Sequence, residues 1–137
     1  MSARYTPLPD VNYLPSVERL LMNSKTNKQA GTIKGADELT DDSARWFISS
    51  LKDSYEQAQI LYEQALKLGV PKELARVHLP VGRYSRMRAS ANLRNWLAFL
   101  TLRAAPSAQW EIRQYANVVS SMVAEVFPRT HALFVGS

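Results

Sequence analysis

A chain of 137 residues, 46% of them apolar, fits one domain, 1–137, with a real hydrophobic core, and is not a disordered tail. It has no Cys, which excludes disulfides, thiolate metal sites and Cys nucleophiles and fits a cytoplasmic protein. The net charge of +5 is unevenly spread: residues 71–113 hold eight basic side chains against two acids, Glu73 and Glu111, so this segment carries +6 and the rest −1.

Residues 1–39 read as the end of a strand, at 1–6, followed by a Pro-rich irregular stretch. Pro7, Pro9 and Pro15 break any periodic pattern, and Gly31 and Gly35 interrupt the later part. The polar run from Asn23 to Gly35 reads as a mobile loop. The first ten residues are polar and Pro-rich rather than basic and then apolar, so they do not read as a signal peptide. Nowhere is there an apolar run of about 18 residues, as a membrane-crossing helix needs.

A helical body is predicted over 40–137. Thr40 is a good N-cap, and Asp41 and Asp42 suit the positive end of a helix dipole. Phe47, Ile48, Leu51, Tyr55, Ala58, Leu61, Tyr62, Ala65 and Leu68 then repeat with the 3.6-residue period, and Gly69 stops the helix. Pro71 fits the first turn of a short helix ending near His78. Residues 83–91 are too poor in apolar side chains for a helical stripe and read as extended. Asn92 caps a helix bearing Leu93, Trp96, Leu97, Phe99 and Leu100. Ser107 opens another, bearing Trp110, Ala116, Val119, Met122, Val123 and Val126. Pro128 ends that helix and begins a final turn through Leu133. The class is α+β, helix-rich, with one or two short strands at 1–6 and 83–91. Residues 1–39 offer little to cover these amphipathic helices, so a partner chain or a symmetry mate is expected to complete the core or the site.

The basic residues of 71–113 are Lys72, Arg76, Arg83, Arg86, Arg88, Arg94, Arg103 and Arg113. Seven of the eight are Arg, whose guanidinium grips phosphate and carboxylate through a fixed fork of donors, where Lys acts as a point charge. A phosphorylated ligand fits this composition. So does a solvated basic face or a nucleic-acid patch. His78 and His131 have no metal-ligand partner at a recognisable spacing and read as structural, so no metal site is expected. Trp46, Trp96 and Trp110 fall on apolar stripes and read as core.

Three segments narrow the choice: Val70-Pro71-Lys72-Glu73-Leu74-Ala75-Arg76-Val77-His78-Leu79-Pro80, the run from Asn92-Leu93-Arg94 to Leu102-Arg103, and Ala108-Gln109-Trp110-Glu111-Ile112-Arg113. In this order and spacing they resemble the C-terminal half of the flavin-dependent thymidylate synthase family. The start, Ser2-Ala3-Arg4-Tyr5, resembles the end of that family's signature. The resemblance implies reductive methylation of deoxyuridylate (dUMP) to thymidylate, with methylenetetrahydrofolate giving the carbon and FAD, reduced by NADPH, the hydride. It also implies a homotetramer with shared sites, and no nucleic-acid or membrane partner. Arg103 matches the catalytic arginine against the uracil ring. Ser2, Ala3, Arg4 and Arg76 match further dUMP contacts, and Asn92, Leu93 and Arg94 match the FAD segment. Arg83, Arg86 and Arg88 have no matched role and read as surface or interface charges, while Arg113 and Glu111 read as a local pair.

The chain departs from the family in two respects. It starts inside the signature motif, without the segment that supplies most of the central sheet. Ala98 stands where the family usually has His or Asn facing the flavin, and alanine offers no side-chain hydrogen bond. A gene fragment, one piece of a split enzyme with a separate N-terminal half, and a non-catalytic nucleotide-binding or assembly remnant all fit these departures. The non-catalytic module is the rival from another class, and a nucleic-acid-binding helical protein, suggested by the +6 segment, is a second rival.

Overall fold

The structure, a computed structural model, describes residues 5–22, 31–33 and 35–136. Ser2, Ala3 and Arg4, most of the strand expected at 1–6 and most of the 23–35 loop lie outside them. The described residues form six helices: α1 Val17–Leu21, α2 Asp41–Lys67, α3 Lys72–Ala75, α4 Leu93–Arg103, α5 Trp110–Val126 and α6 Pro128–Val135. They fall into two compact units, the first ending at Arg88 and the second built mainly from Ala89 onward. No helix among the described residues is long and apolar enough to cross a membrane.

In the first unit, α2 is the spine, with α1 and α3 packed on it. Its ends follow from sequence. The Thr40 hydroxyl accepts the Ser43 amide at 3.2 Å, and Asp41 and Asp42 sit in the first turn. At the far end Gly69 turns left-handed, φ 81°, so that its amide reaches the Leu66 carbonyl and the Val70 amide reaches Ala65. That paired closure satisfies two carbonyls the helix would leave bare. Ala44 and Tyr62 are buried on α2, and Ile48, Leu51, Tyr55, Ala58 and Ala65 are half-buried.

Trp46 departs from its expected core position. It is 70% exposed, because it falls outside the stripe that α1 and the 7–16 strap cover. Helix α1 was not expected: Ser16, directly after Pro15, accepts the Arg19 amide at 3.1 Å and nucleates a single short turn of helix. Helix α3 is shorter than the sequence suggests. After Ala75 the chain continues as turns to Leu79 before Pro80.

Only one β-bridge appears among the described residues, Asn12 opposite Arg83. It carries two main-chain bonds, Tyr13 to the Gly82 carbonyl and Tyr84 to the Val11 carbonyl, both 2.8 Å. Residues 84–91 carry no regular secondary structure. Among the described residues the fold is therefore helix-rich, with strand pairing reduced to this bridge.

In the second unit, α5 packs on both α4 and α6. Leu100, Ala116 and Val123 are buried at its centre, with Leu93, Leu97, Phe99, Val119 and Phe134 around them. Trp96 and Phe99 meet edge to face, 5.8 Å between centroids. Asn92 caps α4, accepting the Asn95 amide at 2.9 Å. Helix α5 starts at Trp110 rather than near Ser107, because Pro106 and Ser107 lie in a turn closed by the Ala108 amide on the Ala105 carbonyl, 2.9 Å.

Candidate functional site

The corner between α4 and α5 holds one candidate. Arg103 is the last residue of α4 and exposes its side chain there. The helix stops because Pro106 cannot continue it and Ala104 closes it with a bond to the Leu100 carbonyl. Arg103 lines an open hollow of about 560 Å³ together with Phe99, Ser107, Ala108, Gln109 and Ile112. That volume lies within the range of small-molecule sites. The lining combines one ring, one guanidinium, a hydroxyl and a carboxamide. It can take a flat heterocycle with hydrogen-bonding edges and an anionic charge nearby.

Arg94 does not share this hollow. It is the second residue of α4, nine positions before Arg103, and so projects about half a turn away and roughly 13 Å back along the axis. Arg76 belongs to the first unit, where it caps α3 and is half-buried, its carbonyl accepting from the Leu79 amide. Among the described residues, no hydrogen bond or ion pair engages the guanidinium of Arg76, Arg94 or Arg103. Three guanidiniums left uncommitted are available to anions, since folding has not used their donors.

The expected flavin segment has partly structural duties. The Asn92 side-chain oxygen is occupied in capping α4, which leaves its amide N–H groups for another partner. Leu93 packs against the core of the second unit. Ala98 is exposed on α4. Ser2, Ala3 and Arg4, the other expected dUMP contacts, lie outside the described residues. Gln109 and Ser107 were missed as lining residues. Their signal was their position at the loop between the two Arg-bearing helices.

Arg83 corrects the sequence reading most sharply. Expected as a surface or interface charge, it has a side chain only 3% exposed. One Nη donates to the Leu8 carbonyl at 3.2 Å, the other lies 3.6 Å from Asp10, and the guanidinium sits 5.7 Å from the centre of the Tyr62 ring. Its Nε and Nη1 are buried without a hydrogen-bond acceptor. Nearby, the Tyr55 hydroxyl donates to the Tyr13 carbonyl at 3.1 Å, and burial holds its pKa above the usual phenol value, so it stays a donor.

The histidines have structural partners. His78 Nε2 donates to the Ala58 carbonyl at 2.8 Å, and His131 Nε2 meets the Ser120 hydroxyl at 2.8 Å. No three His, Asp or Glu side chains gather as a metal site among the described residues. A second hollow, of about 570 Å³, lies in the first unit between Pro7, Leu66, Gly69, Val70, Pro71, Lys72 and Glu73. Lys72 there donates to the Tyr5 carbonyl at 3.2 Å.

Residues 1–129 match the family model described as thymidylate synthase complementing protein. A flavin-dependent thymidylate synthase from Thermus thermophilus is 38% identical over 134 residues, which are 98% of this chain and 46% of that protein. One from Thermosipho melanesiensis is 35% identical over 134 residues, 98% of this chain and 56% of that protein. The chain thus spans about half the length of the curated relatives it matches. Among solved structures, a UMP/dUMP methylase, PolB from Streptomyces cacaoi bound with 5-Br dUMP, superposes with a TM-score of 0.81 at 31% identity, covering 99% of this chain and 59% of that one. With residues 1–129 of its 137 matched by the family's model, the chain belongs to the thymidylate synthase complementing protein family.

Proposed function

We propose that this chain forms the C-terminal portion of a flavin-dependent thymidylate synthase, catalysing reductive methylation of dUMP to dTMP in the cytoplasm. The observation that carries this reading is Arg103, an uncommitted guanidinium on a nucleotide-sized hollow beside the Phe99 ring. Arg103 would hold the uracil, where a permanently charged fork stabilises negative charge developing on the ring. Ser2, Ala3, Arg4 and Arg76 would take the rest of the dUMP, with Arg76 suited to the phosphate.

Both units are read as parts of one domain, 1–137, in an α+β enzyme, the Asn12–Arg83 bridge being the edge of its sheet. The part of the family's length that the chain does not span, wherever it is carried, would supply the remaining contacts, in a homotetramer or with a separate N-terminal half. FAD fits the donor set in one respect: Arg94 has a guanidinium free for a pyrophosphate, and the unused amide of Asn92 can add a bond, with Leu93 contributing main chain. When bound, the flavin, reduced by NADPH, supplies the hydride, and methylenetetrahydrofolate the carbon.

A second reading, a non-catalytic nucleotide-binding or assembly remnant, is favoured by Ala98, whose exposed methyl group can neither orient nor hydrogen-bond a flavin. Relatives described as UMP/dUMP methylases also make UMP a ligand worth testing beside dUMP.

Calorimetric titration with dUMP tests the reading, together with the absorption spectrum of the purified protein. Binding that weakens about tenfold or more in Arg103→Lys is expected, since one donor cannot replace the fork. A yellow protein supports the synthase. A colourless protein that binds dUMP supports the remnant. No uptake of either pyrimidine nucleotide would sink both.

A further inference from the structure

Helix α5 opens on a residue that does not cap it. Ser16, Thr40 and Asn92 each accept an amide of the helix they precede, at 3.1, 3.2 and 2.9 Å. Gln109 holds the same position before α5, and its main chain, φ −56° and ψ 138°, lies outside the helical region as a cap's does. Its side chain nevertheless makes no cap bond. Ser, Asn or Asp would close this helix end better, so helix stability does not explain a glutamine here. Among the described residues no hydrogen bond engages its side chain.

That free carboxamide lines the same hollow as Arg103 and Phe99. A guanidinium only donates, so Arg103 can meet the carbonyl oxygens of a pyrimidine but not its N–H. A uracil edge presents one N–H, at N3, between two carbonyls. Reading it takes an acceptor and a donor side by side. In this lining a hydroxyl and a carboxamide can do both, and Ser107 is already engaged. Gln109 carries both groups in one plane, with neither used by the fold.

We propose that Gln109 reads the base: its side-chain oxygen accepts the N3–H of uracil and its amide donates to the adjoining ring carbonyl, beside Arg103. This rests on the synthase reading above, in which the hollow takes uracil.

The test titrates the full chain, Gln109→Met and Gln109→Ser with dUMP and with 3-methyl-dUMP, in which a methyl group replaces the N3 hydrogen, alongside urea unfolding. The parent should prefer dUMP over the methylated nucleotide by about tenfold or more, because the side-chain oxygen then lacks its donor. Both variants should bind dUMP about tenfold more weakly than the parent and should nearly lose that preference, since the two changes remove one interaction. Serine should raise the urea midpoint by capping α5, and methionine, which keeps the length, should hold it. Unchanged dUMP affinity in either variant would overturn the proposal. So would a preference for dUMP that survives in Gln109→Met, or a midpoint that falls with affinity in Gln109→Ser, as a purely structural glutamine requires. If the parent takes up no dUMP, the synthase reading falls and takes the proposal with it. If the parent takes up dUMP and the variants bind it equally, only the role of Gln109 falls.

Discussion

Gly82 and Tyr55 fit closely together in the first unit. A Cβ built on Gly82 would lie 2.5 Å from the Tyr55 hydroxyl, which is itself donating to the Tyr13 carbonyl. A methyl group there must displace the phenol and break that bond. Gly82→Ala should therefore cost about 1–2 kcal/mol in urea unfolding. Tyr55→Phe alone should cost about 1 kcal/mol through the unpaired carbonyl. Phenylalanine also removes the clashing oxygen, so the double variant should cost clearly less than the sum. Additive costs would mean that the two groups do not meet as described.

At the scale of the element, folding and the proposed function meet at one side chain, at the start of α4. Asn92 was expected both to cap the helix and to touch the flavin, and its cap bond to Asn95 is 2.9 Å. The two duties use different atoms and can be separated. Asn92→Ala should cost about 1 kcal/mol in stability, whereas Asn92→Asp keeps the capping oxygen and should stay within about 0.5 kcal/mol. Asp lacks the amide N–H groups, so a flavin or nucleotide contact made by them would be lost in both variants. Equal binding by the parent and Asn92→Asp would leave the residue a cap only.

The same elements indicate what the sequence could carry. Thr40, Gly69 and Asn92 act through hydrogen bonds within a few residues of themselves, and Pro128 through its fixed φ and missing N–H, so the bounds of α2, the start of α4 and the start of α6 were legible. Helix α5 began later than expected because the turn closed by Ala105 and Ala108 absorbed Ser107. Arg103 could be picked out by its place in a spaced motif. The burial of Arg83 could not, since its partners Leu8 and Asp10 lie more than seventy residues away and nothing local distinguishes it from Arg86 or Arg88. Trp46 was misjudged for the same reason: a helical stripe says which side chains share a face, not how wide a face the rest of the chain covers.

Across the whole molecule, the excess of positive charge in 71–113 leaves two kinds of anion in competition. One is a mononucleotide held by a few arginines, and the other a polyanion spread over the basic face. Arg83 no longer counts toward such a face, because its guanidinium is buried. Of the remaining cations, Lys72, Arg76, Arg86 and Arg88 belong to the first unit and Arg94, Arg103 and Arg113 to the second. Salt discriminates the two. A polynucleotide neutralised by six or more side chains releases as many counterions and would lose about a thousandfold in affinity between 50 and 200 mM salt. A nucleotide monophosphate offers two charges at most, so its affinity should fall by no more than about tenfold over that range. Arg76→Lys sharpens the contrast. It preserves the charge and so should barely change binding to a polyanion, but it removes the fork and should weaken dUMP about tenfold. Titration of parent and variant with dUMP and with single-stranded DNA, at both salt concentrations, gives the answer. Steep salt dependence with indifference to Arg76→Lys would assign the arginines to nucleic acid and end the synthase reading.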